Sequence, residues 1–198
     1  MLRWHTDINR LKTPPSVETA EITLIGRIAT GELCAFDALY RVYHPRLQRF
    51  LERLTRRPAM VDELLNDTLL VVWHSASRFN GQSKVSTWIF AIAYRKAMKA
   101  LRQLDEPLES EATDYREAPT PGPEQLASHQ QLHAALTRAI DCLSPEHRAV
   151  VDLTYFHGLS YGEIAAIADC PVDTVKTRMF YARRKLKTLL AGGLEDWL

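Results

Sequence analysis

The sequence of 198 residues contains no apolar run that approaches the ~20 residues needed to cross a bilayer. Its N-terminal segment, which carries Arg3 and Asp7, also lacks the apolar core of a signal peptide. The three cysteines, Cys34, Cys142 and Cys170, form no Cys-x-x-Cys pair. A disulfide framework or a zinc cluster is therefore not expected, and we predict small buried thiols at all three positions. These absences predict a protein of the cytoplasm.

Signatures of common enzyme classes are missing as well. The sequence has no P-loop, no nucleophile elbow and no His-Glu-x-x-His motif. His129 and His133 are four residues apart and could share one helix face, as metal ligands do. Because no third ligand lies nearby in the sequence, we expect solvated histidines there rather than a metal site. No catalytic site, metal or cofactor is predicted.

Charge is nearly balanced overall, at a formal net charge of +1, but it is unevenly distributed. Residues 27–105 hold 13 Lys and Arg against 7 Asp and Glu, whereas residues 106–131 hold 1 against 6. Residues 132–191 return to a basic balance of 8 against 6. Two basic blocks on either side of an acidic stretch suit two separate contacts with a polyanion.

The acidic stretch divides the chain into two blocks. It contains four prolines and few large apolar residues. Such a composition cannot bury enough surface to offset its ordering entropy, so we predict a flexible linker over residues 105–130. Solubility is the default interpretation of its acidity, and mimicry of nucleic acid in a basic channel is the more specific alternative. The predicted parts are an N-terminal extension (1–21), a first domain (22–104), the linker, a second domain (131–191) and a tail (192–198).

Apolar residues three and four positions apart predict that the first block is all-helical. We expect Gly31 to end its first helix and Pro45 to kink its second. Trp88 is expected in the core of the fourth helix, whose other face is basic. The predicted helices are Ile22–Ala29, Cys34–Arg56, Met60–Ser77 and Ser86–Gln103.

The second block contains a predicted helix-turn-helix over residues 160–190. Ser160 and Glu163 form a capping box, and Pro171 ends the first short helix. Asp173 or Thr174 is expected to cap the second helix. The predicted apolar stripe of that helix is Val175, Met179, Ala182, Leu186 and Leu189, and its outer face is basic. Two short helices with a tight turn place a recognition helix in a DNA major groove, whereas a basic helix alone is usually only a solvated face.

Two further helices precede this motif, so the second block is predicted to be a four-helix unit. One is expected near Leu132–Leu143. The next has Ser144 as its cap and Pro145 at its first position, and Gly158 closes it.

Two sets of motifs resemble a known family. Asp62-Glu63-Leu64-Leu65-Asn66-Asp67-Thr68, Arg78-Phe79-Asn80-Gly81 and Ser86-Thr87-Trp88-Ile89 resemble sigma region 2. Leu143-Ser144-Pro145-Glu146, Gly158-Leu159-Ser160-Tyr161-Gly162-Glu163 and Cys170-Pro171-Val172-Asp173-Thr174-Val175-Lys176-Thr177-Arg178 resemble sigma region 4. Together they resemble a group IV, or extracytoplasmic-function, sigma factor of bacterial RNA polymerase. The resemblance implies an all-α protein of two small helical domains joined by the linker.

The resemblance also implies partners and site residues. It implies binding to core RNA polymerase, promoter DNA and an anti-sigma factor, with no membrane segment in this chain. The helix at residues 61–74 would bind polymerase with acidic side chains around an apolar anchor. The implied polymerase-binding residues are Asp62, Glu63, Leu64, Leu65 and Asp67.

The resemblance also implies that the loop Phe79–Val85 would hold a flipped base of the −10 element. The helix that follows would contact the adjacent DNA strand. The implied −10 residues are Phe79, Asn80, Gly81, Ser83, Lys84, Arg95, Lys96 and Lys99. The recognition helix reads the −35 element in the major groove. The implied −35 residues are Thr174, Lys176, Thr177, Arg178, Phe180, Tyr181 and Arg184.

Three residues depart from the pattern of the family. Tyr181 stands where many members carry Arg, Asp173 replaces a common Gly, and Arg95 stands where Asn is frequent. We therefore expect −35 and −10 preferences that differ from those of typical members. A stand-alone helix-turn-helix regulator, with residues 1–105 as a sensor domain, is the main alternative, although a second basic block argues against it.

Overall fold

A computed structural model of the chain describes residues 17–105 and 126–194, without the side chains of residues 105, 126–133 and 191–194. The predicted tail falls largely outside these ranges, as do most of the extension and of the linker. All regular structure within them is helical, as predicted. The helices are α1 Val17–Ala29, α2 Leu33–Thr55, α3 Pro58–Ser75, a 3-10 helix Ala76–Arg78, α4 Val85–Asp105, α5 Leu126–Asp141, α6 Pro145–Tyr155, α7 Tyr161–Ala168 and α8 Val172–Leu194.

The first four helices occur where the apolar spacing predicts them, with shifted ends. α1 begins five residues before Ile22, and α2 continues through Pro45 to Thr55. Gly31 takes a φ of +85° just after α1, a conformation that favours glycine and ends the helix there. Pro58 occupies the first turn of α3, where its missing donor costs nothing.

α2 supplies much of the core of this half. Its side chains at intervals of three and four residues are almost completely buried against α1, α3 and α4. They include Leu39, Tyr43, Leu47, Phe50, Leu51 and Leu54. Trp88, at the start of α4, is half-buried against this core, which agrees with the prediction of a packing role.

The caps predicted for the second half are confirmed. Ser144 accepts a hydrogen bond from the backbone N–H of His147 at the start of α6. Ser160 and Glu163 form the reciprocal capping box at the start of α7. α7 ends at Ala168 and is capped by Asp169, whose φ is +49°, and α8 begins three residues after this cap, at Val172.

The predicted cap of the recognition helix is wrong by two to three residues. α8 already begins at Val172, which places Asp173 and Thr174 inside its first turn. Val175, Met179 and Ala182 are buried, as the stripe predicts, whereas Leu189 is exposed. Pro171 disfavours helix in the residue before it but permits helix from Val172 onward.

The two halves pack against each other. α4 lies against α2 and α3 on one side and against α7 on the other, and the end of α2 lies against α6. As a result α4 is buried on more than one side, and Phe90, Ala91, Tyr94 and Met98 are all buried. The buried side chains of both halves form one continuous cluster.

The prediction of buried thiols is wrong for two of the three cysteines. Cys34 and Cys142 are exposed, and Cys170 is half-buried. Cys34 lies on the outer side of the first turn of α2, and Cys142 follows the end of α5. None of the helices described here is both long enough and apolar enough to cross a membrane.

Candidate nucleic-acid interface

The outer face of α8 presents the basic and aromatic side chains that the sequence places there. Lys176, Thr177, Tyr181 and Arg184 are exposed, and Phe180 is exposed over 62% of its surface. The buried stripe of Val175, Met179 and Ala182 turns this face outward, because residues three and four apart share the opposite side. This helix can therefore enter a groove of duplex DNA without loss of core packing.

Phe180 and Tyr181 form an exposed aromatic pair, with ring centroids 5.5 Å apart in a T-shaped arrangement. Beside Phe180 runs a shallow groove of about 340 Å³ between α7 and α8. Its lining combines aromatic and cationic groups: Tyr161, Lys176, Met179, Phe180, Arg183, Arg184 and Lys187. A surface of this composition suits contacts with a phosphate backbone and with apolar base edges.

Two cationic residues of the predicted −35 set, Lys176 and Arg178, have intramolecular partners. The Lys176 ammonium lies 2.9 Å from the Asp173 carboxylate, one turn away on α8. Arg178 is half-buried and donates to the Cys170 sulfur at 3.8 Å. Burial raises the pKa of Tyr94 on α4, and the nearby Arg178 guanidinium opposes this rise. Arg178 therefore faces the first half of the chain as much as solvent.

The loop that precedes α4 has a built conformation. Phe79 is half-buried and packs on Trp88, with ring centroids 5.2 Å apart. The Asn80 side chain accepts from the backbone N–H of Gln82 at 3.1 Å, and Gly81 takes a φ of +71°. Asn80 and Gly81 are exposed, so the tip of the loop is open to a ligand while its base is anchored on the core.

The basic face predicted for α4 is only partly available. Arg95 and Lys99 are exposed. Lys96 instead donates to the Asp67 carboxylate of α3 at 2.7 Å. A predicted −10 residue and a predicted polymerase-binding residue thus form an ion pair with each other.

α3 presents an acidic outer face and an apolar inner face. Asp62, Glu63 and Asp67 are exposed on the outer face. Leu64 and Leu65, predicted as an apolar anchor for the polymerase, are instead 7% and 2% exposed. They belong to the protein's own core, because α3 needs an apolar stripe to pack against α2 and α4.

Glu163 of the capping box also contacts the first half of the chain. Its carboxylate lies 2.9 Å from the Lys84 ammonium and accepts from the backbone N–H of Ser160 at 2.8 Å. Burial raises the pKa of Glu163, but Lys84 and the Ser160 donors outweigh burial and leave this pKa below its usual value. Lys84, predicted to contact the −10 element, is thus engaged by the helix-turn-helix.

A cluster of charged residues that was not predicted from the sequence lies where the two halves meet. Arg148 and Asp152 on α6 are 5% and 3% exposed. Arg148 donates to the carbonyls of Arg53 and Leu54, and Asp152 accepts from Arg53. Their spacing of four residues around the apolar run 149–151 was the available signal, since it places both charges on one face of a buried helix.

No three His, Cys, Asp or Glu side chains in the described part of the chain come together as metal ligands. The side chains of His129 and His133 lie outside that part, so the prediction for them stays untested.

Comparison with protein families matches both halves of the chain. Residues 39–106 match Sigma-70 region 2, and residues 133–186 match Sigma-70, region 4. The ECF RNA polymerase sigma factor RpoE of Cereibacter sphaeroides is 31% identical over 156 residues, which cover 77% of this chain and 84% of that protein. The ECF RNA polymerase sigma-E factor of Escherichia coli K12 is 28% identical over 181 residues, or 86% and 94% of the two chains.

Solved structures show the same fold. CnrH, in complex with the cytosolic domain of CnrY, is 25% identical, with a TM-score of 0.65 over 87% of this chain and 98% of its own. The sigma factor RpoE of Bartonella quintana, in complex with the anti-sigma factor NepR, is also 25% identical. Its TM-score is 0.58 over 79% of this chain and 96% of its own.

Proposed function

Because this chain belongs to the ECF family of RNA polymerase sigma factors, we propose that its two halves recognise two separate promoter elements. The protein is an alternative sigma factor, which acts with core RNA polymerase in promoter-specific initiation. The observation that supports this division of roles is that each half has its own candidate DNA-binding surface. One half has the exposed basic and aromatic face of α8, and the other has the anchored loop before α4 and the basic residues of α4. We assign the −35 element to α8 and the −10 element to the loop and α4.

At the −35 element, the N-terminal part of α8 would lie in the major groove. Lys176 can donate to guanine acceptors, and the Thr177 methyl group can contact a thymine methyl. Phe180 and Tyr181 add apolar contact area, while Arg184 suits a phosphate. Because Asp173 holds Lys176 in the free chain, Lys176 must exchange this ion pair for a base or phosphate contact.

At the −10 element, the exposed tip of the loop at Asn80 and Gly81 would receive an unstacked base. Phe79, fixed against Trp88, supplies a rigid wall for such a pocket. Ser83 and Lys84 complete the loop on the side of α4. Arg95, Lys96 and Lys99 would hold the adjacent backbone as cations.

The acidic face of α3, Asp62, Glu63 and Asp67, is the proposed contact with core polymerase. As in the complex of the Bartonella quintana RpoE with NepR, we propose that an anti-sigma factor binds this chain. Sigma factors are specificity subunits, and we propose no catalytic role and no cofactor for this one. We also place it in the cytoplasm, where the polymerase is.

Run-off transcription with core polymerase on a promoter library tests the proposed function. We expect the chain to direct initiation from a subset of sequences, and the isolated chain to bind promoter DNA only weakly. The Phe180→Ala variant should select different −35 sequences from those that the unaltered chain selects. Absence of stimulated initiation would refute the proposal, and specific footprints by the chain alone would favour a stand-alone regulator.

A further inference from the structure

The first turn of α8 carries a carboxylate on a helix whose other charged groups are cations. α8 contains six lysines and arginines but a single acidic residue, Asp173. The Asp173 side chain is 87% exposed. Because DNA is a polyanion, a carboxylate on this surface opposes binding unless the DNA offers it a partner of its own. Its place at the start of the recognition helix is therefore informative about what that helix reads.

The start of α8 does not use this carboxylate as a cap. The backbone N–H groups of Thr174 and Val175 donate to the Pro171 carbonyl, at 3.0 and 3.3 Å. The Asp173 carboxylate instead accepts from Nζ of Lys176 at 2.9 Å. A negative charge in the first turn still favours the helix through the helix dipole, but this effect is small and distinguishes no base from another. The carboxylate thus stays on the outer surface, with Lys176 as its partner.

The turn that carries this ion pair is fixed. Val175 is completely buried beneath it. The Thr177 hydroxyl donates to the Asp173 carbonyl at 2.9 Å, which adds a bond across the same turn. Residues three apart share one face of a helix, so Asp173 and Lys176 project together. A carboxylate and an ammonium are therefore presented side by side at the end of α8 that enters the groove.

A G·C pair offers two groups that match this arrangement. In the major groove cytosine N4 is a donor and guanine O6 is an acceptor. These two atoms are hydrogen-bonded to each other, so they lie about 2.9 Å apart. Asp suits cytosine N4, and Lys suits guanine O6. Asp173 and Lys176 can therefore exchange their ion pair for these two contacts, and neither charge is left without a partner.

An A·T pair suits the carboxylate poorly. Its donor, adenine N6, lies between two acceptors, adenine N7 and thymine O4. A carboxylate at N6 faces both of these acceptors, whereas cytosine N4 lies at the outer end of its row, beside one acceptor. Lys176 alone finds an acceptor on every base pair. Discrimination between the two kinds of pair therefore comes from the carboxylate, by repulsion at the wrong pair as well as by attraction at the right one.

We propose that Asp173 is a specificity-determining residue that, together with Lys176, reads one G·C pair of the −35 element through cytosine N4 and guanine O6. The inference rests on the proposed function, because it names the base pair that the first turn of α8 recognises. It concerns one position of the element and leaves the other positions to the remaining residues of the outer face.

Replacement of the carboxylate by an amide tests this reading. Asn has nearly the shape of Asp but suits adenine, through N6 and N7. In run-off transcription on the promoter library, we expect the unaltered chain to prefer G·C over A·T at one −35 position by at least about fivefold. Asp173→Asn should replace cytosine by adenine as the preferred base there, and Asp173→Ala should abolish the preference. The preferences at the other −35 positions should not change.

Asp169→Asn is the matched control. Asp169 is an exposed carboxylate that caps α7 and lies outside α8, and Asn tolerates its φ of +49°. The control removes the same charge from the same helix-turn-helix, so it should leave the selected bases unchanged. Circular dichroism checks that each variant is folded.

Selection of duplexes by the isolated chain at low salt, which strengthens weak binding, measures the same preference without polymerase. The change from cytosine to adenine in this assay, without any stimulated initiation, would support the reading and refute the proposed function. Unchanged or absent selection by the folded Asp173 variants and the parent in both assays would overturn the reading. A uniform weakening at all positions, or an equal change in Asp169→Asn, would also overturn it, since charge alone would then explain the effect.

Discussion

Met179 and Phe180 are neighbours in the sequence, yet they are 2% and 62% exposed. Met179 fills the contact between α8 and the rest of its half, whereas Phe180 lies on the outer face with Tyr181. The helical period places consecutive residues about 100° apart, which separates a packing role from a binding role. At this scale the helix-turn-helix is therefore a set of adjacent residues with different tasks.

This difference leads to opposite effects of two substitutions. Met179→Ala should lower the free energy of unfolding by about 2–5 kcal/mol, because it leaves a cavity. Phe180→Ala should change it by less than about 0.5 kcal/mol. On a promoter that depends on its −35 element, Phe180→Ala should reduce run-off transcription about tenfold, as expected from a lost contact of 1–3 kcal/mol. Urea unfolding and transcription assays on both variants test these expectations. A large loss of stability in Phe180→Ala would contradict the assignment of Phe180 to the outer, DNA-binding face.

Glu163 is a second residue whose role extends beyond its own helix. It caps α7 with Ser160 and also pairs with Lys84. Its lowered pKa means that the folded protein holds the ionised form more firmly than the unfolded chain does. The stabilisation is present above the unfolded pKa of about 4.5 and is lost as the pH falls through the lower folded pKa.

Glu163→Gln should therefore be less stable than the parent at pH 7, by about 1 kcal/mol, the usual value of a lost cap interaction. The difference should shrink as the pH falls below about 4.5 and should vanish at more acidic pH. Unfolding free energies measured by urea titration between pH 3 and pH 7 test this. In a Lys84→Gln background the pH-dependent part should be smaller, and a difference that grows toward acid would contradict the account.

At the scale of elements, α3 and α4 have opposite characters. α3 is amphipathic, with Leu64 and Leu65 inside and Asp62, Glu63 and Asp67 outside. α4 is buried on more than one side, because α2 and α3 cover one face and α7 covers another. Apolar spacing predicts the first case well, since one stripe faces one core. It does not predict which further helix covers the remaining face of α4.

The acidic face of α3 gives a prediction for polymerase binding. The double variant Asp62→Asn with Glu63→Gln should weaken binding to core polymerase by about two- to tenfold, because exposed ion pairs contribute up to about 1 kcal/mol each. The effect should decrease at high salt, where screening weakens such pairs. Glu52→Gln, an exposed carboxylate on α2, is the matched control. A titration with labelled polymerase measures both affinities. If the double variant and the Glu52→Gln control bind equally well, the polymerase contact lies on another surface.

At the scale of the whole molecule, the two sigma regions share one buried cluster. The contact between α4 and α7 and the charged contact between α2 and α6 make the halves mutually dependent. Both proposed DNA surfaces are therefore affected by how the halves are arranged, even though each is built from a single half.

A shared core predicts cooperative unfolding. The free chain should show one calorimetric transition, with equal calorimetric and van't Hoff enthalpies. Arg53→Gln should separate this transition into two or lower its cooperativity, since it removes a contact between the halves. Two well-separated transitions in the parent chain would contradict this expectation.

Local sequence patterns predict the helices, the capping box, the helix-turn-helix and the outward face of α8, because these depend on residues within about one or two turns of each other. They also identified the family from two motif sets. Tertiary packing, by contrast, sets the burial of α4 on both sides, the exposure of two cysteines and the pairing of Lys84 with Glu163. These outcomes depend on which helices meet, and residues about a hundred positions apart, such as Arg53 and Asp152, carry no local pattern that reveals their contact.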